Sequence, residues 1–165
     1  MKKTLITLIY TSLSLLLLAY LFKLLNWPGV SDFSMGVFWL HIAAYIAYSS
    51  FVQPKDDRII YPLVVLVVTI LFNIFNIGSE FEYMQYVVFF NLFFYVSFHL
   101  LSKDYLATNN VRFLKPMNYI AVIILGLSGL FKILHLFGTE TLLITGISLA
   151  SFALFLKGLI KGVDR

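Results

Sequence analysis

Three pairs of polar residues, each three apart, stand at the ends of long apolar runs: Lys23 with Asn26, Asn73 with Asn76, and Lys132 with His135. Three residues is close to one helical turn, so the two side chains of a pair share a face. An acid follows each pair at a similar offset: Asp32, Glu82 and Glu140. A lysine facing a carboxylate makes an ion pair, and an amide or imidazole supplies hydrogen-bond donors and acceptors. His135 beside Glu140 is the one combination with acid–base capacity, toward lipid at a membrane face. These nine residues form a candidate polar crown at one face. His41 and Asn91 lie inside apolar runs, where an unpaired polar group is costly and an interhelical partner or a polar cavity is expected.

Other chemistries lack their residues. The chain has no cysteine, which removes disulfides, thiolate zinc sites and a cysteine nucleophile. No Ser/His/Asp constellation, HExxH helix or Gly-rich phosphate loop occurs. The three histidines fall at different predicted depths, and one histidine with two asparagines is a poor ligand set. The expectation is a non-enzyme without metal or cofactor.

The elements that position these residues follow from composition. Of 165 residues, 61% are hydrophobic and 12% charged, against about 45–50% and 25% in soluble domains. This is the composition of a polytopic integral membrane protein. A helix needs about 20 apolar residues to cross a bilayer, and six stretches qualify: about 4–25, 34–52, 59–77, 83–101, 117–137 and 141–160. The first 25 residues resemble a signal peptide, with Lys2 and Lys3 before an apolar core, but no A-x-A-like site closes it, so an uncleaved first helix is expected. With both termini on one side, that side holds ten Lys and Arg, and the other holds Lys23 and Lys132. The positive side is expected in the cytoplasm of a bacterial inner membrane. The expected partners are lipid and a membrane protein or a second copy of the chain. The net charge of +4 is spread over short loops and does not point to nucleic acid.

The segments LFKLLNWPG (21–29), LFNIFNIGS (71–79) and LFKILHLFG (130–138) are copies of one pattern. The fold expected is all-α: one membrane domain over 1–165, built as three helical hairpins at 4–52, 59–101 and 117–160, with N-in and C-in topology. Small residues on the second, fifth and sixth helices (Ala43, Ala44 and Ala47; Gly126 and Gly129; Gly146, Ala150 and Ala153) are candidate packing surfaces. The aromatic run 89–95 is expected to contact lipid.

The motif FKLLNWPG at 22–29 resembles the FK-[IL]-x-H-W-P-G signature of the gliding-motility and type IX secretion motor L subunit family of Bacteroidota. FKILHLFG at 131–138 is similar to it without the Trp-Pro. The resemblance implies that each motif ends a transmembrane helix at a periplasmic turn, and that Lys23 and Lys132 match the family's intramembrane lysine. That family's L subunit is a proton-driven stator working with a second, periplasm-spanning subunit. Its functional glutamate would fall at Leu40 or His41 and at Ala150 here, so the proton-carrying role does not transfer. Two functions follow as expectations: a scaffold or accessory subunit of an envelope complex, or a small transporter with a polar path lined by Asn73, Asn76, Asn91 and His41.

Overall fold

The computed structural model describes residues 2–51, 60–65, 67–68, 82–101 and 113–163. All regular structure among them is helical. We number the five full helices α1 (Lys2–Leu24), α2 (Val30–Phe51), α3 (Glu82–Leu101), α4 (Leu114–Ile133) and α5 (Thr139–Val163). Residues 60–65 add a short helical segment. Among the described residues, four helices are long and apolar enough to cross a membrane: Lys3–Leu24, Val30–Phe51, Leu114–Ile133 and Thr139–Ile160.

Several helix limits differ from the sequence expectation: α2 begins at Val30, four residues early, and both limits of α4 differ for a local reason. α4 begins before Pro116 rather than after it. A proline in the first turn costs no hydrogen bond, because the first four N–H groups have no intrahelical acceptor. α4 ends at Ile133, not at Phe137, because His135 turns into the left-handed region at φ 51°.

The same turn closes α1, bond for bond. Asn26 has φ 55°. Asn26 N–H donates to Lys23 O at 3.1 Å and Trp27 N–H to Phe22 O at 3.0 Å; the matching bonds after α4 are His135 to Lys132 O at 3.3 Å and Leu136 to Phe131 O at 2.9 Å. These paired bonds, three and five residues back, satisfy carbonyls that a helix end leaves open, and the left-handed residue makes them possible. The apolar contact that accompanies such a cap is present as Phe22 against Trp27, centroids 4.5 Å apart. Gly29 and Gly138 then reverse the chain at φ 77° and 85°.

A side chain at either glycine is strained at that φ although open space surrounds both. Gly29→Ala and Gly138→Ala are each expected to cost about 1–2 kcal/mol. Gly36→Ala, mid-helix and also in open space, is expected to gain about 0.5–1 kcal/mol. Thermal midpoints of the detergent-purified variants read this difference in sign.

α1 lies between α2 and α5, and α4 packs on the far side of α5. α1 and α5 run antiparallel, since Ser14 meets Ser151 while Gly158 meets Thr7, Tyr10 and Thr11. With no water-driven force between membrane helices, close backbone approach must hold them. Ala150 and Ala153 are fully buried. A Cβ on Gly158 would lie 3.1 Å from Thr11 Cγ2, and one on Gly146 3.0 Å from Leu125 Cδ2. The expected small-residue surface therefore holds for Gly146, Ala150, Ala153, Gly129 and Ala44, whereas Ala43 is exposed. In the aromatic run, Phe94 faces outward but Tyr95 is buried.

Candidate functional site

Six of the nine residues of the candidate crown are described, and no hydrogen bond or ion pair joins those six to one another. Lys23, Asn26, Asp32, Lys132, His135 and Glu140 are all exposed. Asn73 and Asn76 lie outside the described residues, and so does the side chain of Glu82, which opens α3. No ion pair joins Lys23 to Asp32 or Lys132 to Glu140 among the described residues. The turns explain the placement. Lys23 and Lys132 occupy the last turns of their helices, while Asp32 and Glu140 occupy the first turns of the helices that follow. Each charge thus faces the favourable pole of its own helix, worth about 0.3–1 kcal/mol apiece. Asn26 and His135 are the left-handed cap residues.

His41 leads to the main polar assembly. It is fully buried on α2, with Nδ1 at 2.8 Å from Ser12 Oγ on α1 and Nε2 at 2.6 Å from the Tyr95 hydroxyl on α3. The Ser12 hydroxyl donates its one proton to Ile9 O at 3.0 Å. Ser12 Oγ therefore accepts from Nδ1–H, and Nε2 accepts from the Tyr95 O–H. The neutral imidazole with Nδ1 protonated satisfies every partner.

Four residues along α2 and α3 from this contact, a second pair repeats it. Tyr45 lies edge-on to His99 at 6.1 Å, and Tyr95 lies edge-on to His99 at 4.6 Å. Because 41 meets 95 and 45 meets 99, α2 and α3 run parallel. Tyr10 of α1 closes the cluster, 5.7 Å from His99.

Lys157 of α5 completes it. Its side chain is buried. The ammonium donates to His99 O at 2.9 Å and to Leu100 O, and it sits 6.0 Å above the Tyr10 ring. The last carbonyls of a helix lack intrahelical donors and form its negative pole, so a cation placed there is both a cap and a charge complement. Lys157 fastens α3 to α5. Beside this cluster, Ser14 and Ser151 exchange hydrogen bonds, each hydroxyl donating to the other's backbone carbonyl at 2.8 and 2.9 Å.

The chemistry available is limited. Ser12 beside His41 has the spacing of a nucleophile and its base. Ser12, however, is buried mid-helix and gives its proton to a carbonyl, and the third member is a phenol rather than a carboxylate. No acid occurs among the described buried polar residues, and no group of three metal-ligating side chains forms among the described residues. The arrangement is a set of interhelical fasteners. Asn91 is half-buried on α3.

The sequence reading singled out His41 but not Ser12, Tyr10, Tyr45, Tyr95, His99 or Lys157 as parts of one cluster. A signal for part of it was present: His41/Tyr45 and Tyr95/His99 are both histidine–tyrosine pairs four apart on apolar helices. Comparison of the chain with protein-family models, with curated proteins and with solved structures finds no match in any of the three.

Proposed function

We propose that this chain is a non-enzymatic inner-membrane protein, a scaffold or accessory subunit of an envelope complex, built from three tandem hairpins with both termini in the cytoplasm. The observation that carries this reading is the division of its polar groups. Buried Ser12, Ser14, His41, Tyr95, Ser151 and Lys157 join one helix to another, whereas Lys23, Asp32, Lys132 and Glu140 stand exposed at the turns, where a partner can reach them. The same turns expose Trp27, Leu134, Leu136 and Phe137, which supports an interfacial or partner-facing role for that end.

The identical caps after α1 and α4 support the reading of 4–52 and 117–160 as copies of one hairpin. They also give the motif a physical sense: Phe and Lys supply the capped carbonyls, Asn or His the left-handed residue, and Gly the reversal. On this reading the chain is related to the gliding-motility and type IX secretion motor components that carry the motif. The parallel run of α2 and α3 is what an odd number of crossings between them, and hence six spans, requires. The transporter reading loses one of its four lining residues, because His41 is buried and bonded at both nitrogens.

Gentle purification of the tagged protein from native membranes tests the proposal. A membrane-protein partner at fixed stoichiometry is expected, and Lys23→Gln with Lys132→Gln is expected to leave any solute or ion flux unchanged. Isolation of the chain without a partner, together with a flux abolished by that double substitution, overturns it.

A further inference from the structure

We propose that the face bearing the two capped turns binds phospholipid headgroups: Lys23 and Lys132 each hold a lipid phosphate, and the turn tips sink into the boundary between headgroups and acyl chains. This rests on the membrane placement of the chain and not on the scaffold reading. Both turns lie at one face and at nearly one depth. Ser14 of α1 is opposite Ser151 of α5, and Leu125 of α4 is opposite Gly146 of α5. Nine residues on from Ser14, Lys23 stands level with Leu142; seven on from Leu125, Lys132 stands level with Thr139. At 1.5 Å per residue the two lysines differ in depth by about 5 Å.

Each lysine is set in exposed apolar surface. Leu24, Leu25 and Trp27 flank Lys23; Ile133, Leu134 and Phe137 flank Lys132, with Phe137 fully exposed at the tip. Exposed apolar surface of this extent marks a membrane or protein contact. Neither lysine has an acid partner among the described residues, so its complement is an anion standing where apolar surface gives way to water, and the phosphate layer of a bilayer lies there. The direction of the side chains separates the charges. Helical Cα–Cβ bonds tilt toward the helix N-terminus. Lys23 and Lys132, in last turns, start back toward the bilayer, run along the apolar tips and return the ammonium to the boundary. Asp32 and Glu140, in first turns, tilt outward to water. The lysines are thus placed for lipid, and the acids remain for a protein partner.

Two measurements on the full chain test this, in vesicles of phosphatidylethanolamine and phosphatidylglycerol that hold no other protein. The chain has two tryptophans, Trp27 and Trp39. Trp39→Phe leaves Trp27 to report on the first turn, and Phe137→Trp in a Trp27→Phe, Trp39→Phe background reports on the second. Both reporters are expected to be quenched more by phospholipid brominated near the ester end of its chains than by aqueous acrylamide. In native mass spectrometry of protein released from these vesicles, Lys23→Gln with Lys132→Gln is expected to retain two fewer phospholipids than the native chain, and Lys23→Arg with Lys132→Arg as many. Both lysines are exposed, so the paired substitutions leave the packing intact. Reporters quenched by acrylamide and not by brominated lipid place the turns in water, open to a protein, and overturn the proposal. Lipid retention unchanged in the glutamine pair overturns it as well.

Discussion

Lys157→Glu is expected to prevent accumulation of the folded protein, with a loss of more than about 3 kcal/mol. Two terms add. The carboxylate cannot donate, so His99 O and Leu100 O lose charge-assisted bonds worth about 1.5–3 kcal/mol. It also turns a buried negative charge toward the negative pole of α3, in a helix where a central carboxylate costs about 2.5–3.5 kcal/mol. Lys157→Met keeps the apolar stem against Tyr10 and loses the cap alone, for an expected cost of about 1.5–3 kcal/mol. Lys157→Gln still donates and is expected to fall between Met and the native residue. The loss is expected to be local to α3. Because the chain is free of cysteine, single-cysteine probes carry no background. Val96→Cys on α3 is expected to gain thiol reactivity in the Lys157→Met protein, while Leu13→Cys on α1 is expected to stay protected. Equal change at both probes would mean that Lys157 supports the whole bundle rather than α3.

How much of this was legible in the sequence depends on the range of the interaction. The membrane class rests on composition, a sum over all residues, and four of the expected spans appear as apolar helices of sufficient length. The turns rest on contacts within six residues, and the motif at 22–29 and 131–138 carried them. The α4 limit was missed because an apolar run reads straight through Leu134 and Phe137, while the left-handed His135 stops the helix. The sequence also offered Lys23 with Asp32 and Lys132 with Glu140 as candidate pairs, and all four stand exposed in the described structure. Chain proximity across a turn put opposite charges near one another, but each charge already had a helix pole of its own. Lys157 was the least legible residue. Hydropathy shows a lysine near the end of a span, and such a stem normally runs outward to the headgroups. Whether it turns inward depends on where the C-terminus of α3 lies, which is set by packing between residues more than 50 positions apart. Ser12 and His41, 29 positions apart, were hidden in the same way.

His41→Leu and Tyr95→Phe are each expected to destabilise the bundle by about 1–3 kcal/mol, and to do so non-additively. The single changes strand a partner. Without His41 the Tyr95 hydroxyl is left in an apolar joint, and without the hydroxyl His41 Nε2 is left as a buried acceptor. Ser12 is little affected in either case, because its proton goes to Ile9 O. The double variant removes both ends of the bond and leaves neither stranded, so it is expected to be more stable than the sum of the two losses predicts. The coupling is expected near 1 kcal/mol, between the average of about 0.6 and the maximum of about 1.7 kcal/mol for interhelical bonds in membranes. Denaturation of the four proteins in mild detergent, followed by far-UV circular dichroism, closes the cycle. Additive losses would mean that the 2.6 Å contact carries no energy of its own and that the two side chains act through packing alone. A positive coupling identifies the bond as what ties the middle of α3 to α2. That is the work of a fastener, and it differs from the work of a transport path, in which a polar group inside the bundle must stay free to exchange its partner.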